Sequence, residues 1–215
     1  MTDYDRIPPE FDAVKDNNET ILWVGQPKLV PFLAQGIPFL IIGCLWGAFD
    51  LAFFGGIFGL GGGMPGGLNV FLTIFMLFHL FPFYGSILNM IRLVLVYKNT
   101  RYAYTTKRLM FRTGFFGIDF KAVDYDKIQN IEVNVNPLEK LYNVGSIKAF
   151  TGEFVSSRNN GARPVYSTFQ AIEEPYEVFK AIKQVSVDIK TDMNYPNNLR
   201  PEENNGYNTT YKPKP

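Results

Sequence analysis

The chain has 215 residues with 21 basic and 20 acidic side chains, and this balance gives no basis for nucleic-acid binding. One cysteine, Cys44, excludes an intramolecular disulfide or a cysteine metal cluster. With one histidine, His79, also inside an apolar run, no common catalytic triad or zinc site can be built outside those runs.

The charge is nevertheless segregated along the chain. Residues 1–28 carry net −3, 29–97 net 0, 98–190 net +4 and 191–215 net 0. Residues 1–28 form an acidic N-terminal arm with Pro8 and Pro9, lacking the basic start and early apolar core of a secretory signal. The first apolar run therefore reads as an uncleaved anchor. Glu19–Pro27 turns from polar to apolar, and two readings stand. It is either an interfacial segment with Trp23 in the headgroup layer or a short strand packed on the domain downstream.

Two long apolar runs follow, 29–54 and 68–97, joined by residues 55–67. The first carries only Asp50; the second carries only Arg92 and the neutral-leaning His79. A bilayer core of roughly 30 Å takes about 20 apolar helical residues, so both runs are long enough to cross. They predict a transmembrane helical hairpin. The joining segment holds eight glycines and Pro65 in thirteen residues, which predicts a non-helical turn. It has no Lys or Arg, whereas Lys28 precedes the first run and Arg92, Lys98, Arg101, Lys107 and Arg108 lie at the far end of the second. The positive-inside rule then puts both termini in the cytoplasm of a cell bounded by a plasma or inner membrane.

Ionisable groups inside a membrane are functional candidates. Counted from the loop, Asp50 lies roughly 6 Å deep and His79 roughly 16 Å, an offset of about 10 Å that argues against direct pairing. Asp50 is expected at the outer interface. His79, the intramembrane polar candidate, is expected to bond across the hairpin or to a neighbouring copy. Pro38 and Pro82 can kink the helices.

From Asn99 the apolar period changes to two. Tyr102 and Tyr104, then Leu109 and Phe111, then Ile118, Phe120 and Ala122, then Ile131, Val133 and Val135 mark short strands, with further runs at 146–151 and 165–170. Pro175 suits a first helical position, and Val178, Ala181, Ile182, Val185 and Ile189 give one apolar helix face. Residues 98–190 thus predict an α+β domain: an antiparallel sheet or partly open barrel of about six or seven strands, capped by a C-terminal helix. The Asn- and Pro-rich segment 191–215 predicts a disordered tail.

That order resembles the pleckstrin-homology (PH) fold. The motifs Leu22-Trp23-Val24-Gly25-Gln26-Pro27, Tyr102 to Leu109 running on to Gly114, Lys127 to Ile131, Pro137-Leu138-Glu139, Val144-Gly145-Ser146-Ile147 and Glu174-Pro175 resemble the bacterial membrane-anchored PH-like (YdbS-like) family. The resemblance covers about residues 19–187. It implies a binding module. The placing of the single His and Cys inside the apolar runs gives the expectation of no enzymatic activity and no cofactor. PH-like folds often hold anionic headgroups through basic residues of the first hairpin, which makes Arg101, Lys107, Arg108 and Arg112 candidate anionic-lipid contacts. The alternative is that these cations face water without a defined pocket.

Two function classes stand. One is a membrane-anchored adaptor whose cytoplasmic domain binds a protein partner or anionic lipid. The other is a small oligomeric membrane protein with a transport, channel or toxin-protection role carried by the helices. Membrane lipids, a protein partner or further copies of the chain are the expected partners, and nucleic acid is not.

Overall fold

A computed structural model describes residues 8–59, 66–157 and 161–194. It divides the chain into two compact units: Phe32–Lys98, and the residues on either side of that segment.

The first unit is the helical hairpin. After the short helix α2 (Leu29–Ala34), which straddles the boundary, come α3 (Ile37–Gly59), α4 (Gly66–His79) and α5 (Phe81–Asn99). Two stretches, Ile37–Ile57 and Gly66–Asn99, are long and apolar enough to cross a membrane. The predicted runs are thus present, with three corrections. Pro38 lacks an amide hydrogen, and the run expected at 29–54 breaks into α2 and α3 around Gln35 and Gly36. Pro82 likewise breaks the second run at Leu80. Gly55, Gly56 and Gly59, expected in a turn, stay helical, and Gly66 and Gly67 open α4. The helix penalty of glycine is only about 1 kcal/mol per residue relative to alanine, small enough for a long apolar helix to carry. The middle of the expected turn, residues 60–65, lies outside the described residues.

Small residues bring α3 and α5 together. A Cβ on Gly43 would lie 2.2 Å from Ser86 Oγ and 2.9 Å from Pro82 O, and one on Gly47 would press on Phe83. Gly43 and Gly47 are four apart and so share one helix face, the arrangement that lets helices approach closely. Gly43→Leu is expected to force the helices apart and destabilise the hairpin by about 1–3 kcal/mol. Loss of helical signal at a lower SDS fraction in mixed micelles would measure it; an unchanged midpoint would refute the contact.

The second unit is built from β1 (Ile21–Gly25), β2 (Arg101–Thr105), β3 (Arg108–Thr113), β4 (Asp119–Asp124), β5 (Asn130–Asn134), β6 (Val144–Ser157) and β7 (Gly161–Glu173). Three helices join them: α1 (Pro9–Val14), α6 (Pro137–Leu141) and α7 (Pro175–Asn194). An antiparallel sheet has the order β1-β2-β3-β4, and a second has the order β5-β6-β7. Tyr102, Tyr104, Leu109, Phe111, Ile147, Phe169 and, from α7, Val178 and Ile182 form the main core. The alternation read for β2, β3 and β5 is the face of this core. On β4 the expected face of Ile118, Phe120 and Ala122 is corrected: Val123 enters the core, Phe120 packs on the reverse face and Ile118 is exposed.

Of the two readings of Glu19–Pro27, the strand is the one observed. Gly25 pairs with Tyr102 and Ile21 with Thr105, while the Trp23 ring stacks on Tyr104 and Phe169 at 5.9 Å each. The boundary drawn at residue 98 agrees with the division at Lys98 to within one residue, but the domain also takes in the chain up to Pro31, because the sheet needs a strand from before the hairpin. Hydrogen-bonded neighbours β1 and β2 are separated in sequence by the whole hairpin. The arm contributes further. Phe11 of α1, fully buried, covers Ala103 and Met110 on the reverse face of the sheet. At the other end α7 continues through Asn194, past the expected start of the tail; residues 195–215 lie outside the described residues.

Candidate functional site

The four cations proposed from sequence occupy both ends of the first sheet. Lys107 and Arg108 sit at the β2–β3 turn, whereas Arg101 and Arg112 face each other in register at the opposite end. An antiparallel pair of this length separates the two ends by about 17 Å. The sequence groups these residues, but the sheet does not bring them into one cluster.

Each is engaged locally. Arg108 Nη2 donates to Asp16 Oδ2 at 2.7 Å and its Nε to Glu19 Oε1 at 3.1 Å, with Asp124 at 3.7 Å. Lys107 Nζ reaches the same Asp16 oxygen at 3.1 Å. Glu19 is buried and also accepts from Thr105 Oγ1 at 2.6 Å; the Thr105 carbonyl in turn accepts from Tyr125 Oη. At the far end Arg112 donates to Asn99 O at 2.7 Å and to Glu10 Oε1 at 3.0 Å. Arg101 donates to the Thr100 carbonyl at 2.8 Å.

The acidic arm is thus the counter-charge of the basic hairpin. Sequence reasoning missed this, although the opposite net charges of 1–28 and 98–190 were the available signal. A cleft of about 320 Å³ beside Lys107 and Arg108 is also lined by Asp16, Asp124 and Asp126. Three carboxylates against two cations make a poor cradle for a phosphate.

These pairs predict an acid response. A bond from its own backbone amide and the Arg112 guanidinium lower the Glu10 pKa against a desolvation cost. Lys107 and then Arg108 lower that of Asp16, again against desolvation. Carboxyls lowered on folding stabilise above their ordinary pKa, and that contribution is lost as the pH falls below it. The thermal midpoint should therefore drop as pH falls below about 4.5, the ordinary value for Glu10. Asp16→Asn should flatten part of that slope, and a slope identical to wild type would refute the pairing.

Comparison with known families decides what the domain is. The model described as "Bacterial PH domain" matches residues 38–185, more than half of the chain. The chain belongs to the bacterial PH-domain family. The match begins inside α3, so it takes in most of the hairpin and β2 through most of α7. Among solved structures, the chain is similar to a DUF1696 family protein with a pleckstrin-homology domain from Shewanella loihica PV-4. The two share 16% identity with a TM-score of 0.28, covering 40% of this chain and 71% of that one. No curated protein matches.

In this bacterial PH-domain protein the hairpin carries its own polar cluster, in which His79 bonds across the hairpin as expected, but to Asp50. This corrects the expectation that the two do not pair and that Asp50 lies at the outer interface. His79 Nδ1 lies 2.9 Å from Asp50 Oδ1 and 3.0 Å from Oδ2. The Asp50 side chain is fully buried. Two effects closed the gap of about 10 Å estimated from helical rise. First, α3 runs on to Gly59, which places Asp50 nine residues inside the helix end. Second, side chains lean toward the N-terminus of their own helix, so on these antiparallel helices the two lean toward each other. The break at Leu80 supplies a third partner. Phe83 N bonds to Leu80 O rather than to His79 O, and the Trp46 indole Nε1 donates to that His79 carbonyl at 2.9 Å. The rings of Trp46 and Phe75 lie 5.0 and 5.2 Å from the imidazole. The arrangement joins α3 to α4 through one carboxylate–imidazole bond whose carboxylate is buried and whose imidazole is partly exposed.

Proposed function

We propose that this chain is a non-enzymatic, membrane-anchored binding module of the plasma or inner membrane, with both termini cytoplasmic and the PH-like domain holding a partner at the inner surface. The observation that carries this reading is the insertion of two long apolar helices between strands β1 and β2 of that domain. The hairpin exposes Leu45 at 67% and Phe78 at 77%, apolar surface of a kind that lipid covers and water penalises. The glycine-rich segment 55–67 lacks Lys and Arg, which favours its placement on the outer side. The internal pairing of Lys107, Arg108 and Arg112 favours a protein partner over anionic lipid at that hairpin.

Retention of the chain in membranes after alkaline washing tests the anchor. Co-purification of a partner from the full-length chain, lost on truncation after Asn99, tests the module; a partner retained by the truncated chain would sink it. On phosphatidylglycerol vesicles, Lys107→Ala is expected to leave association unchanged, and a clear loss would restore the lipid reading.

A second reading has one specific observation behind it. The Asp50–His79 bond lies within the hairpin, as the coupling group of a transporter would. Flux into proteoliposomes abolished by His79→Ala would favour transport over anchoring.

A further inference from the structure

We infer that the turn Phe115-Phe116-Gly117-Ile118 is a second membrane contact, seated in the headgroup layer of the bilayer that the hairpin spans. The inference rests on the spanning reading of the hairpin. Its first support is the composition and exposure of the turn. Phe116 is 93% exposed and Ile118 50% exposed, and Phe115 packs on Phe116 with ring centroids 4.0 Å apart. Single exposed apolar residues are ordinary on soluble proteins, but adjacent phenylalanines at the tip of a tight turn form a patch. The turn is also stiff. Gly114 has φ +131°, and a Cβ there would lie 2.2 Å from Gly117 O, so the backbone closes on itself and projects the rings outward.

The second support is topology. β1 ends at Gly25 where β2 begins, and β3 ends at Thr113 where β4 begins at Asp119. In an antiparallel sheet these four chain ends fall on one edge. That edge is where the chain leaves the domain for the hairpin and returns from it. The β2–β3 turn with Lys107 and Arg108 lies on the other edge, about 17 Å away. The third support is a direct tie. Asn99, the last residue of α5, donates from Nδ2 to Gly114 O at 3.0 Å and to Gly117 O at 3.3 Å. Asn99 lies seven residues, or about 10 Å of helix, beyond Arg92, which is placed to snorkel to lipid phosphates. The headgroup regions add roughly 5–8 Å to each side of the hydrocarbon core, so the rings held at Asn99 are within reach of that layer. Asp119 and Lys121 follow the turn on β4 and suit a polar boundary.

A second copy of the chain fits less well. Two phenyl rings at about 150–250 Å² each fall short of the roughly 800 Å² per partner that a stable interface needs.

The test uses the full-length protein in phosphatidylcholine–phosphatidylglycerol liposomes, labelled with an environment-sensitive nitrobenzoxadiazole probe. In a Cys44→Ser background, the probe is placed by Phe116→Cys, with Ile118→Cys as a second position. Asp126→Cys, on the opposite edge of the sheet, is the control. The probe at 116 should emit to the blue of the control and lose intensity to headgroup-nitroxide lipids, while the control should be unaffected. A probe on native Cys44, quenched by deep nitroxide lipids, reports the hairpin independently. If Cys44 is quenched and position 116 stays water-like, the turn contact is overturned and the hairpin reading survives. If neither is quenched, both fall together. Blue-shifted emission at 116 without lipid quenching would mean that protein covers the turn, and would also overturn the proposal.

Discussion

A chain in which residues 26–101 are replaced by Asn-Gly is expected to fold as a water-soluble domain, whereas the isolated segment 98–190 is not. Gly25 and Tyr102 are paired across β1 and β2, so a two-residue turn of the type that matches strand twist can join them. The segment 98–190 looks like a complete domain in sequence but lacks β1 and α1. It leaves Tyr104 and Phe169 without the Trp23 ring and uncovers Met110 where Phe11 lay. Truncating a fully buried tryptophan costs about 3–5 kcal/mol, and removal of the partly buried Trp23 together with the fully buried Phe11 is expected to cost at least that, against total stabilities of about 5–15 kcal/mol. Near-ultraviolet circular dichroism with thermal melting distinguishes the two. Cooperative melting of 98–190 at the temperature of the fused chain would refute the part given to β1.

The second large effect is expected at the Asp50–His79 pair. His79→Leu leaves the Asp50 carboxylate buried without a partner, a change that costs about 3–5 kcal/mol in soluble proteins and about 3 kcal/mol for a carboxylate at the centre of a membrane helix. The double variant Asp50→Leu with His79→Leu is expected to recover most of that loss, since it removes the charge together with its partner. Unfolding in mixed micelles supplies the cycle. Equal midpoints for wild type and His79→Leu would show that the bond contributes nothing. A double variant that is stable and still retains its partner would assign the pair to holding the helices, while loss of proteoliposome flux in that stable variant would assign it to transport.

The functional consequence of the fold lies in where the hairpin is inserted. The strands on both sides of the inserted helices are neighbours in one sheet. Both chain crossings therefore leave from a single edge of the domain. That edge carries the aromatic turn and Arg101 with Arg112, and the cations at Lys107 and Arg108 lie on the other. The basic β2–β3 hairpin, which the sequence offered either as an anionic-lipid contact or as solvated cations, pairs in the structure with the acidic arm.

What the sequence determined by itself was everything carried by neighbouring residues. The length and apolarity of 29–54 and 68–97 marked the two helical stretches, period-two alternation marked the core faces of β2, β3 and β5 but not of β4, and Pro175 with the spacing from Val178 to Ile189 marked α7. The ordered short motifs were enough to point to the bacterial PH family. Tertiary structure decided the rest. Ile21 meets Thr105 across the whole hairpin, Asp16 and Glu19 meet Arg108, and Asp50 meets His79 against an estimate based on helical rise alone. Propensity and periodicity act over a turn or a few strand residues. Pairings across tens of residues depend on register, helix length and the direction in which a side chain leans, and those exist only once the chain has folded.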